Sequence, residues 1–340
     1  MTAPNVDPAL ADMMDAVFAQ HHQPNAPTTA AGRDTGLWQH LDELGLIRLT
    51  GAEQFGGSGA GWYEAAELMA AAVRHGVRIP LAEHDLLACR LLESTGARAD
   101  GAVRTLCLLD EHGRASGVPW ASSAERIVFV WQRAGEYLAT DAELSHCDIR
   151  TGTNLIGEPR DSVAADLENL TGTSVGADLV GRLRMKSALV RSIQVCAALD
   201  KALELSIDHA MSREQFGRPL AKFQAVTHLI SDIAAEAALA RSATEAALSA
   251  AVVSDWAAPH LEFLVAAARS CAGHATSVVV RNAHQVHGAI GTTNEHRLHQ
   301  FTRAALAWRS EFGSVQYWDD RVTDMTLQAG ANRLWGLISP

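Results

Sequence analysis

Arg213-Glu214-Gln215-Phe216-Gly217-Arg218-Pro219-Leu220, followed at once by Lys222-Phe223-Gln224 and a long apolar-periodic run, decides how this chain is read. Gly217 sits where a helix end needs a residue tolerant of left-handed φ, and Pro219 sits just beyond it, where it cannot disturb the helix behind. A structural turn needs no more than that. Arg213, Gln215 and Phe216 add a forked donor, an amide and a stacking face, a set suited to an anionic, aromatic ligand such as a dinucleotide. A plain turn with a solvated helix end remains the alternative reading of the same residues.

Outward from this stretch the periodicity is helical on both sides. Before it, Met185, Leu189, Cys196, Leu199, Leu203 and Ala210 fall on one face; after it, Phe223, Val226, Ile230, Ile233, Ala237 and Ala240 do the same. A third run, Leu261, Leu264, Ala268, Cys271, Ala275 and Val278, ends near Gly288, placed as a C-terminal cap. Long helices with short connections predict an antiparallel bundle over 181–340. Between about 105 and 180 the texture changes. Ile127–Trp131 and Glu136–Ala139, parted by Arg133-Ala134-Gly135, predict a hairpin, and further short strands are expected around 151–157 and 170–175. From about 35 to 105 the pattern is helical again, with Leu37, Leu41 and Leu44, then Ala65, Leu68, Met69 and Ala72, either side of a glycine-rich loop at 51–61, and another helix beginning at Pro80. The expected class is α+β: an N-terminal helical domain over 1–105, a reduced middle β domain over 106–180 and the C-terminal bundle. The first 30 residues read as loose, and Met1–Gln23 lacks a signal-peptide pattern.

With 340 residues, 48% of them hydrophobic and 20% charged, the chain can bury two or three packed units. A formal charge of −11 argues against nucleic acid as the partner, since phosphate binding needs a cationic field. Any phosphate must meet a local cluster, for which Arg213, Arg218 and Lys222 are candidates. The five cysteines are scattered and odd in number, as expected of reduced thiols in a cytoplasmic protein. No uninterrupted apolar run suggests a membrane span. Of the fifteen histidines, His284/His287 and His296/His299 are three apart but lack carboxylate or cysteine companions, so no metal site is expected.

Three stretches resemble the acyl-CoA dehydrogenase family, and together they run from about residue 35 to 312. Arg213-x-x-Phe216-Gly217-x-Pro219-Leu220-x-x-Phe223-Gln224 is similar to its C-terminal-domain motif. Gln285-Val286-His287-Gly288-Ala289-Ile290-Gly291 resembles its Gln-x-x-Gly-Gly-x-Gly segment, and Leu37-Trp38 through Gly45-Leu46 to Gln54-Phe55-Gly56-Gly57-Ser58-Gly59 resembles its first helix and glycine turn. The resemblance implies FAD-dependent α,β-dehydrogenation of an acyl-CoA thioester, with electrons passed to an electron-transfer acceptor. It implies that Arg213, Gln215 and Phe216 contact the ADP half of a neighbouring protomer's FAD, that Gln285, Gly288 and Gly291 contact the same region, and that Gln224 supports them.

The departures are as informative. The family's catalytic glutamate has its nearest counterpart in Glu311 of Arg309-Ser310-Glu311-Phe312-Gly313, one residue out of register; the other position used by some members is Ser187, which cannot act as a carboxylate base. Where the family carries its flavin-ring motif this chain reads Leu106-Cys107-Leu108-Leu109-Asp110-Glu111-His112-Gly113-Arg114, and Trp120-Ala121-Ser122-Ser123 only loosely matches the later segment. By that resemblance, the half that would serve a neighbour's ADP is kept and the chain's own ring pocket is degraded. The chain thus resembles the shortened subunit of heteromeric actinobacterial, steroid side-chain type acyl-CoA dehydrogenases, which implies an α2β2 heterotetramer, a homo-oligomer being the other arrangement. A structural subunit without catalysis, and an acyl-CoA oxidase or nitroalkane-type oxidase, are the competing functions.

Overall fold

A computed structural model describes residues 6–21 and 33–338, and these fall into two compact units. The first comprises 6–17, 33–69 and 78–187; the second comprises 18–21, 70–77 and 188–338.

The first unit holds the N-terminal helices and all seven strands of its two sheets. Helix α1, Pro8–Gln20, occupies part of the tract expected to be loose, because Asp7 accepts from Ala9 N–H at 2.8 Å and Met14, Val17 and Phe18 form a buried stripe. The rest of that tract, 1–5 and 22–32, lies outside the described residues. Helix α2, Thr35–Glu43, is capped by Asp34, whose carboxylate accepts from Leu37 N–H at 2.9 Å, and buries Leu37, Trp38 and Leu41. Helix α3, Trp62–Arg74, follows the glycine-rich loop, begins in the first unit and ends in the second, and buries Ala65, Leu68, Met69 and Ala72. The helix expected from Pro80 is wound differently: Ala82–Cys89 is π-helical and wholly buried, and it tightens into α4, Arg90–Ser94. Buried polar groups explain the loose winding. Asp85 accepts from Thr50 N–H at 2.9 Å and His84 Nδ1 accepts from Arg104 N–H at 3.0 Å, so both side chains must point into the core from adjacent positions.

The strands are β1 (Arg104–Leu108), β2 (Arg114–Pro119), β3 (Arg126–Arg133), β4 (Glu136–Glu143), β5 (Cys147–Arg150), β6 (Arg160–Ala165) and β7 (Thr173–Val175). One sheet runs β1-β3-β4-β7, parallel only at β1–β3; the other runs β2-β6-β5, all antiparallel. The expected hairpin is β3–β4, closed by Ala134-Gly135 with both residues at positive φ. The strand expected at 151–157 is instead the connection between β5 and β6, because Asn154 Oδ1 accepts from the Ile156 and Glu158 amides and so turns the backbone. Phe129, Trp131, Ile127 and Cys107 from one sheet meet Val118 and Val163 from the other in a shared core.

The second unit is helical. Helices α5 (Ala177–Ser212, beginning in the first unit), α6 (Gln224–Val253) and α7 (Leu261–His287) are long, and α8 (Leu298–Trp308), α9 (Val315–Ala329) and α10 (Leu334–Ile338) complete it. Asp200 meets Arg241 at 2.7 Å and Cys196 meets Thr244 at 3.4 Å; the pairs advance in opposite directions, so α5 and α6 run antiparallel. The stretch Leu261–Thr292, with a mean hydropathy of 1.4 in its most apolar window, is long and apolar enough to cross a membrane, contrary to the expectation from uninterrupted runs. Its apolarity has a core explanation: Leu261, Val265, Ala268, Ala272, Ala275, Val279 and Ala283 are buried, and α7 packs against both α6 and α9.

Candidate functional site

Arg213 does not end a helix cap. It opens a miniature hairpin between α5 and α6, with β8 (Glu214–Gln215) paired to β9 (Arg218–Pro219) and Leu220 N–H donating to Arg213 O at 2.8 Å. Phe216 (φ +53°) and Gly217 (φ +75°) form the two-residue turn, and left-handed φ at both positions is the type I′ geometry. Glycine fits there without strain; phenylalanine does not. Phe216 is nonetheless 92% exposed, with its ring edge-on to Phe223 at 6.2 Å, while the Arg218 guanidinium stacks on Phe223 at 4.2 Å. Arg213, Gln215 and Gln224 are likewise exposed. The hairpin therefore presents a cation, an amide and a bare aromatic face.

The glycine segment lies beside the hairpin's base. Gln285 is exposed on the last turn of α7, and Gly288 ends that helix at φ +62°, ψ −144°, with its N–H donating to His284 O. A β-carbon on Gly288 would meet open space, so the position is reserved by backbone conformation and lets a ligand approach the main chain. Gly291 differs: it is buried, and a β-carbon would lie 2.9 Å from His287 Cβ and 3.1 Å from Leu298 Cδ2. Its glycine is explained by packing. His209, four residues before Arg213, stacks on His287 with ring centroids 4.5 Å apart, which brings the hairpin and glycine segment together.

Glu311 belongs to a different set. Its Oε2 accepts from Arg191 Nε at 2.7 Å, and Arg191 is fully buried and lies 5.1 Å from the Phe312 ring. Arg269 Nη2 donates to the carbonyls of Arg309 (2.9 Å) and Glu311 (2.7 Å), capping the end of α8. Burial, then Arg191's charge, pull Arg269 down to about 10, so it stays charged at neutral pH. The Glu311 carboxylate is thus held by one buried guanidinium, with a second close by. Arg191 and Arg213 are separated by roughly 33 Å along α5, at about 1.5 Å per residue. Ser187, the alternative position, donates to Leu183 O at 2.9 Å and is buried.

Two features were not evident from the sequence. His209, His287 and His296 converge, with one ring nitrogen from each within 4.8 Å of the others. The first unit also carries a cavity of about 770 Å³, lined by Leu108–Asp110, Arg114–Ser116, Asp148–Arg150, Ser162–Ala164 and Arg184. It coincides with the stretch at which the flavin-ring motif was expected, and it holds Arg114, Arg150 and Arg184 against Asp110 and Asp148. Asp110 is occupied by the His112 and Arg114 amides, which hold its carboxyl below the usual range.

The sequence patterns of the acyl-CoA dehydrogenase C-terminal and N-terminal domains match residues 180–323 and 7–99 respectively, which together take in well over half the chain. The chain belongs to the acyl-CoA dehydrogenase family. The acyl-CoA dehydrogenase IpdE2 of Mycolicibacterium smegmatis is 28% identical to it over 87% of this chain and 91% of that protein. Among solved structures of the acyl-CoA dehydrogenase fold, the ChsE4–ChsE5 complex of Mycobacterium tuberculosis matches with a TM-score of 0.84 at 19% identity, covering 95% of this chain and 97% of that one. The Tcur3481–Tcur3483 steroid acyl-CoA dehydrogenase variant matches equally well, with a TM-score of 0.84 at 18% identity, covering 95% and 98%. At those identities the structural matches speak for the fold. The hairpin, Gln285 and Gly288 fit the ADP half of the family's FAD: the exposed ring of Phe216 and the open main chain at Gly288 are features a nucleotide would use.

Proposed function

We propose that the chain is one subunit of an FAD-dependent acyl-CoA dehydrogenase that lends its hairpin and glycine segment to an FAD whose ring sits in a second, acyl-CoA dehydrogenase-like chain, in an α2β2 tetramer. The observation that carries the proposal is Phe216: a fully presented aromatic ring held in a left-handed conformation. Strained, exposed aromatics persist when a ligand or partner uses them. FAD, when bound, supplies the two-electron oxidation of the acyl Cα–Cβ bond. This chain's own residues supply binding and orientation. Arg213 offers its guanidinium fork to phosphate oxygens, Phe216 a face for adenine, Gln215, Gln224 and Gln285 amide donors, and Gly288 an approachable main chain. Glu311 is committed to Arg191, so the base that removes the α-proton belongs to the partner. Acyl-CoA thioesters of the steroid side-chain type are the proposed substrate class, on the strength of the steroid enzyme among the structural matches. An electron-transfer flavoprotein is the proposed acceptor, and the free cysteines suit a reducing cytoplasm.

The test is co-expression with a candidate partner. A yellow complex that reduces an artificial acceptor on addition of acyl-CoA is expected, with the chain alone colourless and Arg213→Ala stripping flavin from the complex. Glu311→Gln should keep turnover per folded complex. Loss of turnover per folded complex, at a temperature where melting shows the variant folded, would return the base to Glu311. The shortened β unit favours a second reading, a purely structural subunit; full flavin content in the Arg213→Ala complex would select it.

A further inference from the structure

We propose that His209, His287 and His296 bind one divalent transition-metal ion of the zinc type. The three come from separate segments of the second unit: the last turns of α5, the last residue of α7, and the turn before α8. Their ligand nitrogens lie within 4.8 Å of one another, and this is the one such grouping among the described residues. One member of each sequence-spaced pair takes part, and the other is engaged elsewhere. His284 Nε2 is 3.0 Å from Thr302 Oγ1, and His299 Nδ1 donates to His296 O at 2.7 Å.

The central ligand is prepared. His287 is 6% exposed, and its Nδ1–H donates to Ala283 O at 2.8 Å, which fixes the tautomer and leaves Nε2 as the lone-pair nitrogen. That Nε2 is buried and receives no hydrogen bond. The Leu205 carbonyl is near enough to raise the ring's basicity slightly, yet it cannot donate to a lone pair. A metal-ligating histidine characteristically donates its other nitrogen to a carbonyl in this way.

The arrangement is not yet a coordination sphere. Tetrahedral zinc, with Zn–N near 2.0–2.1 Å, needs nitrogens about 3.3 Å apart. His209, now stacked on His287 at 21°, must swing to converge on the same point, and His296 must release the Leu298 N–H that its Nδ1 accepts at 3.1 Å. Both rings are half-buried. Three imidazoles without a carboxylate, close to Arg213, disfavour Mg²⁺ and Ca²⁺ and favour an ion held by nitrogen. A bound ion would tie the end of α5 to the end of α7, fixing the base of the hairpin against Gly288.

The experiment uses the untagged full chain, stripped with chelator and titrated with Zn²⁺ against a chromogenic competitor, with melting followed in parallel. One tight equivalent per chain is expected, with a raised melting temperature and no displacement by millimolar Mg²⁺. His209→Asn and His296→Asn should each weaken binding at least tenfold and abolish the thermal shift, while His284→Asn leaves both unchanged. Melting of each metal-free variant establishes that it is folded at the titration temperature. Equal Zn²⁺ binding by wild type and the His209→Asn/His296→Asn double variant, or an equal loss in His284→Asn, would overturn the site.

Discussion

Phe216 is where local stability and function pull apart. An aromatic residue at the first position of a type I′ turn is strained, and asparagine is preferred there. Phe216→Asn should therefore raise the stability of the chain, by about 0.5–1 kcal/mol, while lowering flavin retention in the assembled complex; chemical denaturation and flavin absorbance of one preparation measure both. Glu311 makes the opposite case. Glu311→Gln leaves the buried Arg191 without its charged acceptor and should cost about 1–3 kcal/mol, seen as a shifted urea midpoint with an unchanged slope. The two glycines separate by mechanism. Gly291→Ala drives a methyl into His287 and Leu298 and should cost about 1–3 kcal/mol, and Gly288→Ala a similar amount from backbone strain alone; only for Gly291 should trimming Leu298 to Ala in the same chain recover part of the loss.

At the scale of elements, the bundle helices were legible because long amphipathic periods leave little choice, and the β3–β4 hairpin because Ala134-Gly135 punctuates two β-prone runs. The Arg213–Leu220 bend was misread as a helix cap because Gly217 meets the same left-handed requirement in a cap or in a type I′ turn; the difference lies in Phe216's φ, which no propensity signals. The histidine cluster joins residues far apart in sequence, and only the antiparallel course of the bundle brings them together. The π-helix was invisible for a related reason: its cause is two buried polar partners from elsewhere in the unit, Thr50 and Arg104. Its acid behaviour is testable. Burial pushes Asp85 up to about 6 and His84 down to about 3. Asp85 favours the folded state below its ordinary pKa and loses that contribution as pH rises through 6. His84 contributes above its ordinary pKa and loses that as pH falls toward 3. Between pH 4 and 6 the two slopes oppose. Asp85→Asn should be more stable than wild type at pH 7 by up to about 3 kcal/mol, from about 1.36 kcal/mol per pK unit. The gap should close below pH 4, and melting from pH 3 to 8 measures it.

For the molecule as a whole, under the proposed function, a cofactor site completed only in an assembly would couple folding to partner concentration. Added FAD should raise the melting temperature of the co-expressed complex, by an amount that grows with the logarithm of FAD above its Kd, and leave the isolated chain unmoved. A shift in the isolated chain would mean that it holds flavin by itself. The formal charge of −11 makes the cationic hairpin a local exception, so its hold on a diphosphate should weaken with ionic strength more steeply than the hydrophobic parts of the assembly do. The loosely wound segment Ala82–Cys89 bears on how such a chain can change length. A wide helical turn is a place where an inserted amino acid can hide without lengthening any loop. Removing one residue there would let the coil relax to ordinary pitch, but everything after it would rotate by about 100°, swinging Leu91 and Leu92 off their seats. A single residue lost from this buried coil should therefore be felt as far as the first strand, which packs against it.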